Sequence, residues 1–183
     1  MPRFAALLRG ISPSGTNMTN DKLRAVFDGL ELEDVASVLS SGNIVFRTAG
    51  ADAPTLEQRI EDALARELGI SSRTLLRSDT ELRALVYSDP FPGATHDSRT
   101  YLTATFVKHP SPTLVVLGPM DEGTTIVRYD AAARAVLAIT DNREPNRARS
   151  FMLWLEASYG KGITTRSWLT VQKINRTLEN MSR

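Results

Sequence analysis

Two stretches of this chain combine side chains that could hold an anion. The first is Arg166-Ser167-Trp168 with Thr170 and Lys173. If Ser167 opens a helix, its hydroxyl and the first helical N–H groups form a donor cluster at the positive end of the helix dipole. Arg166 would add a two-pronged donor for phosphate or carboxylate, and Trp168 an apolar or stacking wall. The structural alternative makes Ser167 a cap, Trp168 a core anchor with Val171 and Ile174, and Arg166 an ion-pair residue. The second stretch is Arg9-Gly10 and the loop Ser12-Pro13-Ser14-Gly15-Thr16-Asn17, which leaves a strand and enters a helix. The single Gly of the Ser12–Asn17 loop and its lack of Lys fall short of a Walker-type phosphate loop. Residue types alone favour the structural account in both stretches. Asn43, in Ser40-Ser41-Gly42-Asn43, is a further ligand candidate, and this segment reads most simply as a hairpin turn.

Other chemistries find less support. The chain has no Cys, which removes disulfides, thiolate catalysis and Cys-type zinc sites and fits a reducing compartment. His96 and His109 are the two histidines, far apart and without a Glu-rich partner pattern, so no metal is expected. His96-Asp97-Ser98 holds the residue types of a nucleophilic triad, but such triads form in space and this segment is a polar linker. Asp141-Asn142-Arg143-Glu144 could bring two carboxylates to a cleft and is equally a solvated turn. No nucleophile pairs with a base, so catalytic residues are unassigned, no cofactor is implied, and an enzyme acting on a small polar substrate is one alternative among several.

Charge narrows the partners. With 22 Lys plus Arg against 21 Asp plus Glu, the formal charge of +1 gives no global field toward nucleic acid or an anionic membrane. The central-strand stretches Phe4–Leu8 and Asn43–Phe46 each offer one aromatic, without the paired aromatics of RNA-binding sheets. No stretch approaches the roughly 20 apolar residues of a membrane span, and residues 4–8 are too short for a signal h-region. The expected setting is the cytoplasm, with a small anion as ligand and a second copy or another protein as the alternative partner.

The elements that would position these residues follow from periodicity. Phe4–Leu8 is a buried strand; Leu23, Val26, Phe27 and Leu30 mark a helix after Thr19 or Asn20. Val35–Leu39 and Ile44–Phe46 form a hairpin, Leu56 to Leu68 a helix closed by Gly69, and Thr74–Leu76 a short strand. Ser78 and Glu81 fit a capping box opening a helix that stops before Pro90. Residues 90–99 have linker composition. Tyr101–Val107 is a strand, Thr113–Leu117 a short helical segment, and Thr124–Arg128 with Ala135–Ile139 a second hairpin. A helix over Arg147–Tyr159 is capped by Asn146, Ile163–Thr165 is a strand, and the last helix starts after Ser167. Both halves, 1–89 and 100–183, thus read β-α-β-β-α-β-α, and Leu76-Arg77-Ser78 matches Thr165-Arg166-Ser167. The expectation is an α+β protein of two ferredoxin-like halves made by duplication, each an antiparallel or mixed sheet with helices on one face. In that arrangement the first loop is expected at the opposite end of the sheet from the Ser40–Asn43 hairpin, with the Arg77-Ser78 helix entry at the hairpin end.

Leu7-Leu8-Arg9-Gly10-Ile11, Ser41-Gly42-Asn43-Ile44-Val45-Phe46 and Thr165-Arg166-Ser167-Trp168-Leu169-Thr170-Val171-Gln172-Lys173-Ile174 resemble the family called domain of unknown function 1697. In that family the first loop typically reads Arg-Gly-Ile-Asn-Val-Gly-Gly-Lys-Asn, where this chain has Arg9 to Asn17 without the first Asn, one Gly and the Lys. The family's Arg-Asn-Trp-Asn-Thr is Arg166-Ser167-Trp168-Leu169-Thr170 here, so two side-chain amides are replaced. The resemblance implies an unassigned function and carries over no catalytic residue. If the anion reading holds, Arg166→Ala abolishes anion-dependent thermal stabilisation and leaves the fold intact; unfolding of that variant, seen by circular dichroism, makes Arg166 structural instead.

Overall fold

Phe4-Ala5-Ala6-Leu7-Leu8 lacks polar alternation, the pattern of a strand buried on both faces. In the computed structural model, which describes residues 1–50, 52–108, 118–121, 123–143 and 146–181, this run is the inner strand β1, Arg3–Leu8. Helix α1, Asn20–Asp28, follows, with the Lys22 N–H donating to its cap Thr19. Strands β2, Glu33–Ser37, and β3, Asn43–Arg47, form the hairpin. The first of these ends two residues before the expected Leu39, whose φ of +62° leaves the strand. Helix α2, Ala53–Leu68, is capped by Asp52 and closed by Gly69 at φ +68°. Strand β4, Thr74–Ser78, leads into α3, Asp79–Tyr87. The sheet is antiparallel in the order β2-β3-β1-β4. Leu23, Val26 and Phe27 of α1 and Leu56, Ile60 and Leu64 of α2 pack with Ala6, Leu8, Ile44, Phe46 and Leu76 on one face.

The later elements are β5, Thr100–Val107; β6, Gly118–Asp121; β7, Thr124–Asp130; and β8, Ala135–Asp141. Then come α4, Arg147–Tyr159; β9, Ile163–Ser167; and α5, Trp168–Asn180. They build a five-stranded antiparallel sheet in the order β6-β7-β8-β5-β9. Phe151 and Leu155 of α4 pack against Val107, Ile126, Val136, Ala138 and Ile163. Strand β6 is an addition to the expected elements: its Gly118-Pro119 start reads as a breaker, yet Pro is tolerated on an edge strand. Asn146 does stand at the start of α4, but at φ +68° and without a side-chain cap bond. The expected Thr113–Leu117 helix, His109 and Glu144 lie outside the described residues.

Two compact units result, Met1–Leu82 with Lys173–Arg183, and Arg83–Gln172. Within the first, Arg3 joins β1 to both helices that reach its N-terminal end: its guanidinium donates to Asp79 Oδ2 at 2.7 and 3.0 Å and to the Leu178 carbonyl at 3.1 Å.

Strand β4 is the edge of its sheet, so every second N–H along it points away from β1. The bond from the Arg9 N–H to the Arg73 carbonyl fixes that phase, and the outward groups are those of Thr74, Leu76 and Ser78. Each meets a carboxylate: Thr74 N–H donates to Glu61 Oε1 (2.8 Å), Leu76 N–H to Glu57 Oε1 (2.8 Å), and Ser78 N–H to Glu81 Oε2 (2.7 Å). Glu57 and Glu61 stand one helical turn apart on α2 and are buried. The Glu81 N–H returns a bond to Ser78 Oγ, completing the capping box. Glu57→Ala strands the buried Leu76 N–H and should cost about 1.5–3 kcal/mol, as expected for a lost hydrogen bond to a charged acceptor. Glu57→Gln, which keeps an acceptor, should cost less; denaturant midpoints of the two variants check this order.

Candidate functional site

The first loop and the hairpin share one end of the four-stranded sheet, contrary to the expectation that they stand apart. Antiparallel pairing of β1 with β3 sets Leu7 opposite Asn43, so the exit of β1 adjoins the entry of β3. The Arg77-Ser78 helix entry lies at the other end, since Ser78 pairs with Phe4. Arg9, Gly10 and Asn43 are therefore neighbours. Their polar groups serve the fold: Arg9 N–H donates to the Arg73 carbonyl (2.9 Å), and Ser72 Oγ donates to the Arg9 carbonyl (2.8 Å). Asn43 is 1% exposed and its amide donates to the Val38 carbonyl and to Ser41 Oγ, both at 3.0 Å. The loop is tied further by Lys22 Nζ on Asn17 Oδ1 and by the Asn17 amide on the Leu68 carbonyl.

Arg166, Ser167, Trp168 and Thr170 come together where β9 passes into α5. Thr170 N–H donates to Ser167 Oγ at 3.2 Å, so Ser167 caps the helix, and the two hydroxyls of Ser167 and Thr170 are 2.9 Å apart. Trp168 is 6% exposed and meets Phe91 edge to face, with centroids 5.1 Å apart, which makes it a core anchor. Arg166 is buried; its guanidinium donates to Thr164 Oγ1 (2.7 Å) and to the Thr165 carbonyl (3.0 Å). Burial pushes its pKa down to about 10, which leaves it cationic at neutral pH. Lys173 lies farther along α5, in the stretch that belongs to the first unit.

Two residues not singled out from the sequence complete this end of β9. Thr103 pairs with Ser167 across β5 and β9, on the same sheet face; it is 4% exposed, and its Oγ1 is buried without a hydrogen-bond partner. Thr165 pairs with Thr105, and their hydroxyls are 2.7 Å apart. The bond from Lys108 N–H to the Gly162 carbonyl sets the ladder phase, so the N–H groups of Thr165 and Ser167 point away from β5 at the sheet edge. Among the described residues, no acceptor takes either group. Threonine at every second position of Thr103-Ala104-Thr105 was the available signal, because a strand puts alternate residues on one face.

Elsewhere, polar groups are consumed locally. Leu102 N–H donates to His96 Nδ1 (3.1 Å), so that ring orders the turn before β5. Backbone N–H bonds from Thr100 and Arg99 hold the Asp97 carboxyl below its ordinary pKa. Asp141 is held well below the carboxylate range by the Arg143 side chain and N–H. A cavity of about 210 Å³ beside α2 is lined by Glu61, Asp62, Ser72 and Arg73, but Glu61 already receives Thr74 N–H and Arg73, and Asp62 the Gln58 amide. Among the described residues no three His, Asp or Glu side chains gather as a metal site, and no helix is long and apolar enough to cross a membrane.

These features define an α+β protein with two antiparallel sheets and a donor-rich strand-to-helix junction. It belongs to the family described as "Protein of unknown function (DUF1697)", whose model matches residues 1–133. The fold is that of the conserved bacterial protein SP0830 from Streptococcus pneumoniae, with a TM-score of 0.74 at 20% identity over 98% of this chain and 99% of that one. No curated protein matches the chain.

Gly42 is the residue on which the loop–hairpin contact turns. Its φ is +72°, and a Cβ there would stand 2.7 Å from Ile11 Cγ1. Gly42→Ala should lose at least about 1–2 kcal/mol from the left-handed backbone alone. Adding Ile11→Ala removes the Cγ1 contact but leaves the β-carbon of position 11 at 2.8 Å and the left-handed backbone in place, so thermal melts should show the double variant no more stable than Gly42→Ala.

Proposed function

We propose that this protein is a binding module for a small anion, phosphate or carboxylate, with its site at the β9–α5 junction. The observation that carries the reading is the set of donors at this end of β9. Ser167 and Thr165 N–H point outward, Ser167 Oγ and Thr170 Oγ1 stand at the helix start, and buried Thr103 Oγ1 lacks an intramolecular partner. Arg166 brings a positive charge to the Thr165 carbonyl on the same edge. Gly10, Arg9 and Asn43 fit a supporting role in the other unit, and Trp168 acts through packing.

The proposed architecture is a duplication of a ferredoxin-like unit, with repeats 1–89 and 100–183 joined by 90–99, in a cytoplasmic protein. The order β2-β3-β1-β4 in one sheet and β7-β8-β5-β9 in the other supports it, as both place the first strand of the repeat between the third and the fourth. A second reading is a protein-interaction module, in which a strand of another copy adds to the β9 edge; the outward N–H groups there favour it.

Sodium phosphate and sodium acetate, compared at constant ionic strength, should raise the melting midpoint in a saturable way, because binding to the folded state stabilises it by mass action. Ser167→Ala should remove that response at a cap cost of about 1 kcal/mol. Thr103→Val should also remove it while leaving the protein, without added anion, as stable as wild type or more so, since an unpaired buried hydroxyl disappears. A midpoint insensitive to both anions but rising with protein concentration supports strand addition instead.

A further inference from the structure

We propose that the anion taken at the β9–α5 junction is a carboxylate; this rests on the anion-binding reading above and adds the ligand's class. The argument comes from the corresponding place in the other unit, where the chain supplies the ligand itself. Strands β4 and β9 are each the last of their sheets, beside β1 and β5 respectively. Leu76-Arg77-Ser78 corresponds to Thr165-Arg166-Ser167 in sequence, in ladder phase and in the next helix that each enters. Even the arginines act alike: Arg77 donates to the Leu76 carbonyl at 2.6 Å, and Arg166 to the Thr165 carbonyl at 3.0 Å.

At β4 the donors meet carboxylates. Ser78 N–H and Ser78 Oγ both donate to Glu81 Oε2, at 2.7 and 2.9 Å, and Leu76 N–H donates to Glu57 Oε1. At β9 the same backbone donors are presented, and among the described residues no acid meets them. Thr170 stands three residues after Ser167, where Glu81 follows Ser78. Ile60 and Leu64 of α2 correspond to Phe151 and Leu155 of α4, all buried, which puts Ala148 and Met152 at the positions of Glu57 and Glu61. A donor pair that accepts a carboxylate oxygen in one unit is thus repeated in the other, and among the described residues no acid fills it. Thr103 Oγ1, opposite Ser167 on the neighbouring strand, is an O–H donor with no counterpart at β4, where the residue opposite Ser78 is Phe4. The junction supplies neutral donors and one guanidinium, a match for the single charge and two oxygens of a carboxylate. A phosphate dianion would bring a second charge with no cation among these residues to meet it.

The test is an NMR titration of the whole chain with acetate and, separately, inorganic phosphate at equal ionic strength, followed at the Thr165 and Ser167 amides, together with the variant Thr170→Glu. Acetate should move both amides of the wild type saturably and at lower concentration than phosphate. Thr170→Glu should rebuild the Ser–Glu capping box, raise the melting midpoint, and abolish the acetate response. Tighter binding of phosphate at these amides overturns the carboxylate assignment and leaves the anion module standing. Silence of both amides toward both anions overturns the two together. An acetate response that survives in a folded Thr170→Glu variant overturns the correspondence with Glu81.

Discussion

The row of carboxylates along the outer edge of β4 is the constraint from which much of the first unit follows. A sheet edge exposes N–H groups that must find acceptors or invite another strand. Glu57, Glu61 and Glu81 take three such groups in succession, two from the side of α2 and one from the first turn of α3. That fixes the rotation of α2 over the sheet, because its acids face β4 only while Ile60 and Leu64 face the core. It also fixes the point where β4 stops and α3 begins. Burying acids is costly unless their oxygens are satisfied, and here each carboxylate ends on a backbone donor.

The five-stranded sheet solves its edges differently. Strand β6 extends one side, and at the β9 edge no acid of the described residues takes the outward N–H groups. The interior of that unit is correspondingly richer in hydroxyls: Thr103, Thr105, Thr124, Thr140 and Thr164 are all buried. The two units differ at the junction of the last strand with the helix that follows. There the first unit is closed by its own acids, and the second keeps its donors directed outward.

Fold alone does not assign an activity, since one arrangement of strands and helices hosts unrelated functions. Membership of a family of unknown function leaves the chemistry of particular residues as the guide. The histidine ring of His96 and the carboxylates of Asp97 and Asp141 are each engaged in turns. The Arg9 carbonyl is likewise taken by Ser72 Oγ, and the Asn43 amide is spent within the hairpin on Val38 and Ser41.

Local chemistry was legible in the sequence wherever neighbours in the chain decide it. The Ser78–Glu81 box, the Thr19 and Ser167 caps, the Gly69 helix end and the strand character of Phe4–Leu8 all depend on residues within a few positions of one another. What tertiary structure alone decided was pairing across long separations. The register of β1 on β3 brought Arg9 beside Asn43, where topology reasoned from the sequence had set them apart. The approach of α2 to β4 made Glu57 and Glu61 the acceptors of an edge strand. The register of β5 on β9 set Thr103 opposite Ser167. Hydrogen-bond phase in a sheet is a property of two strands at once, and no single stretch of sequence contains it.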